Sequence, residues 1–378
     1  MSWPLITFSD LYLVPSRNGL NRPARVRGEG HKMVNMGELF ANDRIADVPM
    51  ERVQLNDREL AECTLSEGDL LFARQSLVLE GAGKCSYVTE VAEPTTFESH
   101  LIRVRLNKRK CEPLFYYYLF ASPYSGISAI VQQCAQAGIR GSELAKLSVP
   151  YPTLNVQRKI VDVLTAYDDL RENNRRRMKL LEDAARLLYQ EWFVHLRFPG
   201  HEHTTISNNI PDGWERVQLG ERVVLNYGKA LKSEERIAGP FPVFGSSGVV
   251  GMHEKPLTQG PGIILGRKGN VGSVFWSAKD FYAIDTVYYI DSATSDLYLF
   301  YALKDMHFLS TDVAVPGLNR DLAYSRPLLV PSKVVLQQFL EVVSPIHQQI
   351  AKLDEMNQKL RAARDLLLPR LMSGEIEV

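Results

Sequence analysis

At 378 residues the chain is about twice the length of a typical single domain, so two domains are expected. Apolar residues make up 45% and charged residues 23%, which supplies ordinary cores, and no apolar run approaches the ~20 residues of a membrane span. Lys+Arg and Asp+Glu both number 44, which excludes a uniformly basic coat for nucleic acid while allowing a local basic surface.

The opening segment, MSWPLITFSDL, has neither the basic nor the apolar region of a secretory signal. Short apolar runs follow in a strand-like pattern, GDLLFAR near 70 and SHLIRVRL near 102, bounded by Gly, Asp and Asn. Between them, in GDLLFARQSLVLEGAGKCSYV, Arg74 and Gln75 leave the end of a strand for a glycine-containing loop. EPLFYYYLFAS reads as a core helix, and AGIRGSEL places Arg140 in a loop before the next long element. The four cysteines, Cys63, Cys85, Cys111 and Cys134, are widely spaced without a CxxC, so they read as buried thiols of a reducing cytoplasm.

Residues 155–193 contain no Gly or Pro. Alternating steps of four and three from Ile160 reach Leu164, Tyr167, Arg171, Asn174, Met178, Leu181, Ala185, Leu188 and Trp192, and eight of these ten positions are apolar. That is a heptad seam, and it predicts a long helix that packs on a partner helix. The loop FPGHEHTTISNNIPD follows; its HEH lacks metal-site spacing and reads as a solvated linker. A second globule then opens with GWERVQLGER. FPVFG, GIILGR, SVFWS and DTVYYID are its strands, and SDLYLFYALKDM is its aromatic core helix. The chain ends in a second seam, Phe339, Val343, Ile346, Ile350, Leu353, Asn357, Leu360, Arg364, Leu367 and Leu371, with Pro345 as an interruption and Pro369 and Gly374 as the end.

The second seam is the first displaced by 179 residues, and Pro152 and Pro331 before the helices share that offset. Trp3 matches Trp214 and Phe8 matches Leu219 at an offset of 211, so the first globule should be about 32 residues longer than the second. Arg74 takes the place of Arg267, and AGIRGSEL takes that of PGLNRDL. The expected fold class is α+β: two globules along the chain with two long antiparallel coiled-coil helices and an internal pseudo-two-fold repeat. The boundaries are 1–154 and 199–332 for the globules, and 155–198 and 333–378 for the helices with the tail.

The segment IILGRKGNVGSVFW, with Gly266, Gly269 and Gly272, is neither a P-loop nor a dinucleotide fingerprint. Its spacing is wrong and a strand follows it instead of a helix. The NPPY-type motif of amino-methyltransferases and the GxSxG elbow are also missing, so no catalytic set emerges. The segment reads as a turn that presents Arg267, Lys268 and Asn270. Arginine can pair bidentately with guanine and asparagine with adenine, while amides freed by glycine can meet phosphate.

In combination, several segments resemble the DNA-specificity subunit of Type I restriction–modification systems over essentially the whole chain. They are IPDGWERVQLGE, PVFGSSGVVGMHEKPLTQGPGIILGRKGNVGSVFW, GLNRDLAYSRPLLVP, the first long helix and the tail RDLLLPRLMSGEIEV. The resemblance implies two target-recognition domains, each reading one half of a split, asymmetric site in double-stranded DNA. It implies a non-catalytic chain that binds no cofactor itself. Two methyltransferase subunits would use S-adenosylmethionine to methylate adenine, and restriction/translocase subunits would use ATP and magnesium. The candidate DNA contacts are Arg267, Lys268, Asn270, Ser246, Ser247, Asn319 and Arg320 in the second half, and Arg74, Gln75 and Arg140 in the first.

The segment 1–154 holds 17 basic and 17 acidic residues, and 199–332 holds 12 and 14. Phosphate neutralisation supplies most non-specific affinity, so the isolated chain should bind DNA weakly and depend on its partners to enclose the duplex. A coiled-coil scaffold for proteins alone would explain the helices but not the duplicated Gly/Arg loops, and an enzyme of sugars or nucleotides lacks its motifs.

Overall fold

The computed structural model describes residues 3–76, 79–133, 137–308 and 317–378. The chain forms two compact units, Met1–Glu172 with Gln358–Val378, and Asn173–Asn357. The division therefore falls within the long helices, and each unit takes one globule together with a part of both. Among the described residues no helix is long and apolar enough to cross a membrane.

In the first unit, strand Leu5–Thr7 pairs antiparallel with Ser148–Pro150, and the Phe8 amide donates to the Leu147 carbonyl at 2.8 Å. A five-stranded sheet runs in the order Tyr12–Asn18, Leu101–Leu106, Asp69–Ala73, Cys85–Val88, Arg44–Ile45. All five residues of its central strand Asp69–Ala73 are buried, which is why LLFA is continuous rather than alternating. A three-stranded sheet places Arg27–Val34 between an antiparallel Glu51–Val53 and a parallel Thr95–Phe97. Helix Pro113–Phe120 is apolar all round and buried in the core, with proline in its first turn, where no amide partner is needed. Cys63, Cys85 and Cys111 are free and buried; Cys134 lies outside the described residues.

The second unit repeats this plan. Glu215–Gln218 pairs antiparallel with Pro327–Val330, and the Leu219 amide donates to the Arg326 carbonyl at 2.9 Å, the counterpart of the Phe8 bond. Its four-stranded sheet runs Asn226–Tyr227, Val287–Ile290, Gly262–Gly266, Val274–Ser277. Its three-stranded sheet places Phe241–Gly245 between an antiparallel Gly248–His253 and a parallel Tyr282–Ala283. The core helix is Leu297–Asp305, capped by the Asp296 carboxylate on the Leu299 amide at 2.7 Å.

The long helices are Leu154–Tyr189, followed by a wider π-helical turn at Gln190–Val194, and Lys333–Met372. They pair antiparallel in each unit. Asp168 meets Arg364 in the first; Asn174 meets Asn357, and Trp192 meets Phe339, in the second. Every seam position named above is buried or half-buried. The polar interruptions find each other: the Asn174 carboxamide donates to that of Asn357 at 3.0 Å, and Asp168 accepts from Arg171 at 3.0 Å and Arg364 at 2.7 Å. Neither proline acts as the sequence suggests. The helix continues through Pro345, whose ring is exposed, and runs past Pro369 to Met372. A helical proline removes one amide donor, and packing of Leu368, Leu371 and Met372 in the first unit's core offsets that loss at the end.

Candidate nucleic-acid interface

In the second unit, strand Gly262–Gly266 ends in a tight turn closed by main-chain bonds. The Gly266 amide donates to Ser273 O at 2.7 Å, and the Gly272 amide donates to Gly266 O at 2.9 Å. Gly269 and Gly272 both have a φ of +77°. A Cβ on Gly272 would fall 2.7 Å from the Phe308 carbonyl, so both conformation and space demand glycine there. The turn stands beside the two-residue hairpin loop Ser246–Ser247. Ser273 Oγ donates to Ser246 O at 2.7 Å, and the Asn270 carboxamide donates to Ser247 Oγ at 3.2 Å.

The second Gly/Arg loop comes to the same place. The Leu318 amide donates to the Arg267 carbonyl at 2.8 Å, and Lys268 and Gly317 form an antiparallel bridge. The carboxamide oxygen of Asn319 caps the short helix Arg320–Tyr324, accepting from the Asp321 and Leu322 amides at 2.8 and 3.2 Å. Arg267 is half-buried; its guanidinium donates to Asp285 O at 3.1 Å and lies 5.1 Å from the Tyr227 ring centroid and 5.8 Å from that of Tyr288. Arg320 lies 5.4 Å from the same Tyr227 ring. Tyr288 is fixed by donating to Leu318 O at 3.1 Å, and burial, with the neighbouring Tyr227 adding to it, pushes its phenol up to about 12, keeping it a neutral donor.

The first unit makes the corresponding main-chain bonds. The Arg74 amide donates to His100 O at 2.8 Å, as that of Arg267 does to Thr286 O at 2.9 Å. The Ile139 amide donates to the Arg74 carbonyl at 2.9 Å, the counterpart of Leu318 to Arg267. Gln75 pairs with Gly138, and Arg140 sits exposed at the start of helix Gly141–Ala145. The side chains differ: Asn18 and Ile102 stand where the second unit has Tyr227 and Tyr288.

The structure thus gathers Arg267, Lys268, Asn270, Ser247, Asn319 and Arg320 on one face of the second unit, and Arg74, Gln75 and Arg140 on one face of the first. Lys268, Asn270, Ser247, Asn319 and Arg320 are exposed, whereas Ser246 is buried and gives its carbonyl to the turn. Tyr227, Gly228 and Tyr288 escaped sequence reasoning. A Cβ on Gly228 would lie 1.9 Å from the Ile284 carbonyl, as one on Gly19 would lie 2.1 Å from Phe97 O, so each glycine lets its edge strand approach. The signal is present as RNG and NYG, in which each glycine directly follows the end of a strand.

Both units therefore carry the same glycine-shaped, cation-bearing loop pair on a strand-and-helix frame. The chain belongs to the family described as Type I restriction modification DNA specificity domain, whose model matches residues 48–183 and 211–351. It is 24% identical over 358 residues to the Type I restriction enzyme MjaIX specificity subunit of Methanocaldococcus jannaschii, covering 86% of this chain and 82% of that protein. It is 22% identical to the Type I restriction enzyme HindI specificity subunit of Haemophilus influenzae, over 84% of this chain and 88% of that one. Its fold is similar to that of a Type I restriction–modification S subunit from M. genitalium, at 18% identity and a TM-score of 0.54, covering 98% and 96% of the two chains.

Proposed function

We propose that this chain is the non-catalytic subunit that reads DNA sequence for a Type I restriction–modification complex, each unit reading one half of a bipartite, asymmetric site. The observation that carries this reading is the duplicated joining of two loops: Leu318 to Arg267 in one unit and Ile139 to Arg74 in the other. The second unit holds its cationic and carboxamide groups with glycine turns and the Asn319 cap, and the first holds its own through the pairing of Gln75 with Gly138. Those groups match the donors and acceptors of base edges and phosphates. The contacts are Arg267, Lys268, Asn270, Ser247, Asn319 and Arg320 on one half-site, and Arg74, Gln75 and Arg140 on the other.

Two methyltransferase subunits carrying S-adenosylmethionine modify adenine at the site so chosen, and restriction/translocase subunits carry ATP and magnesium. Overall neutrality leaves the isolated chain with weak affinity, which the methyltransferase partners raise by enclosing the duplex. Co-purification with the methyltransferase subunit and sequence-selective retention of double-stranded DNA by that complex is the expected result. Co-purification without any sequence preference would favour the protein scaffold instead.

A further inference from the structure

Arg267 and Arg320 are cations in contact with one ring, that of Tyr227, which is itself 49% exposed. Among the described residues neither arginine has a carboxylate within 4.0 Å, so no ion pair explains their convergence. Arg267 is further restrained by Tyr288 and by the Asp285 carbonyl. Tyr227 is placed by Gly228, whose missing side chain lets the strand pass against Ile284. Stacking fixes the plane of a guanidinium. A fixed plane favours a bidentate contact; two phosphate oxygens accept one as well, but only the O6 and N7 of guanine make it depend on sequence.

We propose that Tyr227 is a positioning residue for base readout, holding Arg267 as a pre-oriented fork for a guanine in the half-site read by the second unit, with Arg320 steadied beside it. The inference rests on the reading that this unit contacts DNA. The first unit, with Asn18 and Ile102 in the corresponding places, holds Arg74 without such a platform.

The test uses the complex with its methyltransferase partners and sequences the adenines it methylates. The second unit's half-site is the one that changes when residues 205–332 are exchanged for those of a relative. Wild type should require guanine at one position there. Tyr227→Leu should relax that requirement about ten-fold, the scale of one bidentate contact, and leave the other half-site intact. Tyr227→Phe, which keeps the ring, should retain it. Arg267→Lys, which keeps the charge without the fork, should lose it while the salt dependence of binding stays unchanged. Melting temperatures measured alongside separate loss of readout from loss of fold. A half-site without a required guanine, or Tyr227→Leu with an unaltered preference and unaltered fold, would overturn the inference. No sequence preference in the wild-type complex would bring down the underlying reading, and the inference with it.

Discussion

The two units share main-chain bonds and exchange side chains. Phe8 and Leu219, Arg74 and Arg267, Ile139 and Leu318 make paired main-chain hydrogen bonds, and Gly19 and Gly228 permit the same close approach. On that common frame the second unit builds a tyrosine platform under its arginines and the first does not. The contrast recurs where the globules meet the helices. In the first unit Asp168 accepts from Arg171, Arg364 and Tyr118, and Arg44 bonds both Tyr118 and Asp169. In the second, His347 occupies the position 179 residues on, bonded at 2.8 Å to Tyr301 and walled by Trp276 and Phe300. An ionic joint and a neutral aromatic joint thus serve one architecture. A frame held by backbone bonds leaves its side chains free to differ, which suits a protein with two readers of two sequences.

The ionic joint should be the more costly to break. Asp168→Ala strands the buried guanidinium of Arg171 and leaves that of Arg364 with Asp365 alone, and should destabilise the first unit by about 3–5 kcal/mol, read by denaturant unfolding. A cost near that of a surface pair would show the joint to be solvated. The neutral joint should instead be sensitive to acid. Burial, assisted by Lys304, holds His347 down to about 4 from an ordinary value near 6.5. The unfolded chain therefore binds the proton first. The contribution is full above about 6.5 and is lost as pH falls toward 4, by up to about 3 kcal/mol. His347→Gln should flatten that limb of the pH–stability curve, and an unchanged limb would assign the acid loss elsewhere.

At the readers the expected effects are smaller. Arg267→Ala should cost roughly 1–3 kcal/mol at one base position, whereas a phosphate contact would lower affinity evenly across sequences and flatten the salt slope. Arg74→Ala gives the matching figure for the first unit. A methylation pattern and rate unaltered by both would remove these loops from the interface. The mildest change concerns spacing. Seven residues added to both long helices at matched positions keep the seam in phase and add ~10 Å of helix. The spacer between half-sites should then grow by about three base pairs, at ~3.4 Å each, with both half-sites unchanged. An unchanged spacer in an active complex would assign the spacing to the partner subunits.

Much of this was legible in the sequence because periodicity and apolar runs are local signals. The heptads gave both long helices and the polar residues that meet across them. GDLLFAR and GIILGR gave the central strands, and the offsets of 179 and 211 paired the halves. Pro345 and Pro369 carry a local signal for a break, and local rules cannot weigh the packing that carries the helix through one and past the other. At the candidate site, residue types were legible but their commitments were not. Ser246 is buried behind its turn, and the Asn319 oxygen is taken by a helix start. The Tyr227 platform joins residues 40 and 93 positions away from it, a distance over which only the folded chain brings side chains together.

The central claim is that the two units read independently. Exchange of residues 205–332 for the equivalent segment of a relative, followed by sequencing of methylated adenines made by the assembled complex, tests it most directly. The account predicts that one half-site changes to that of the donor while the other half-site stays as it was. A simultaneous change in both halves would contradict it.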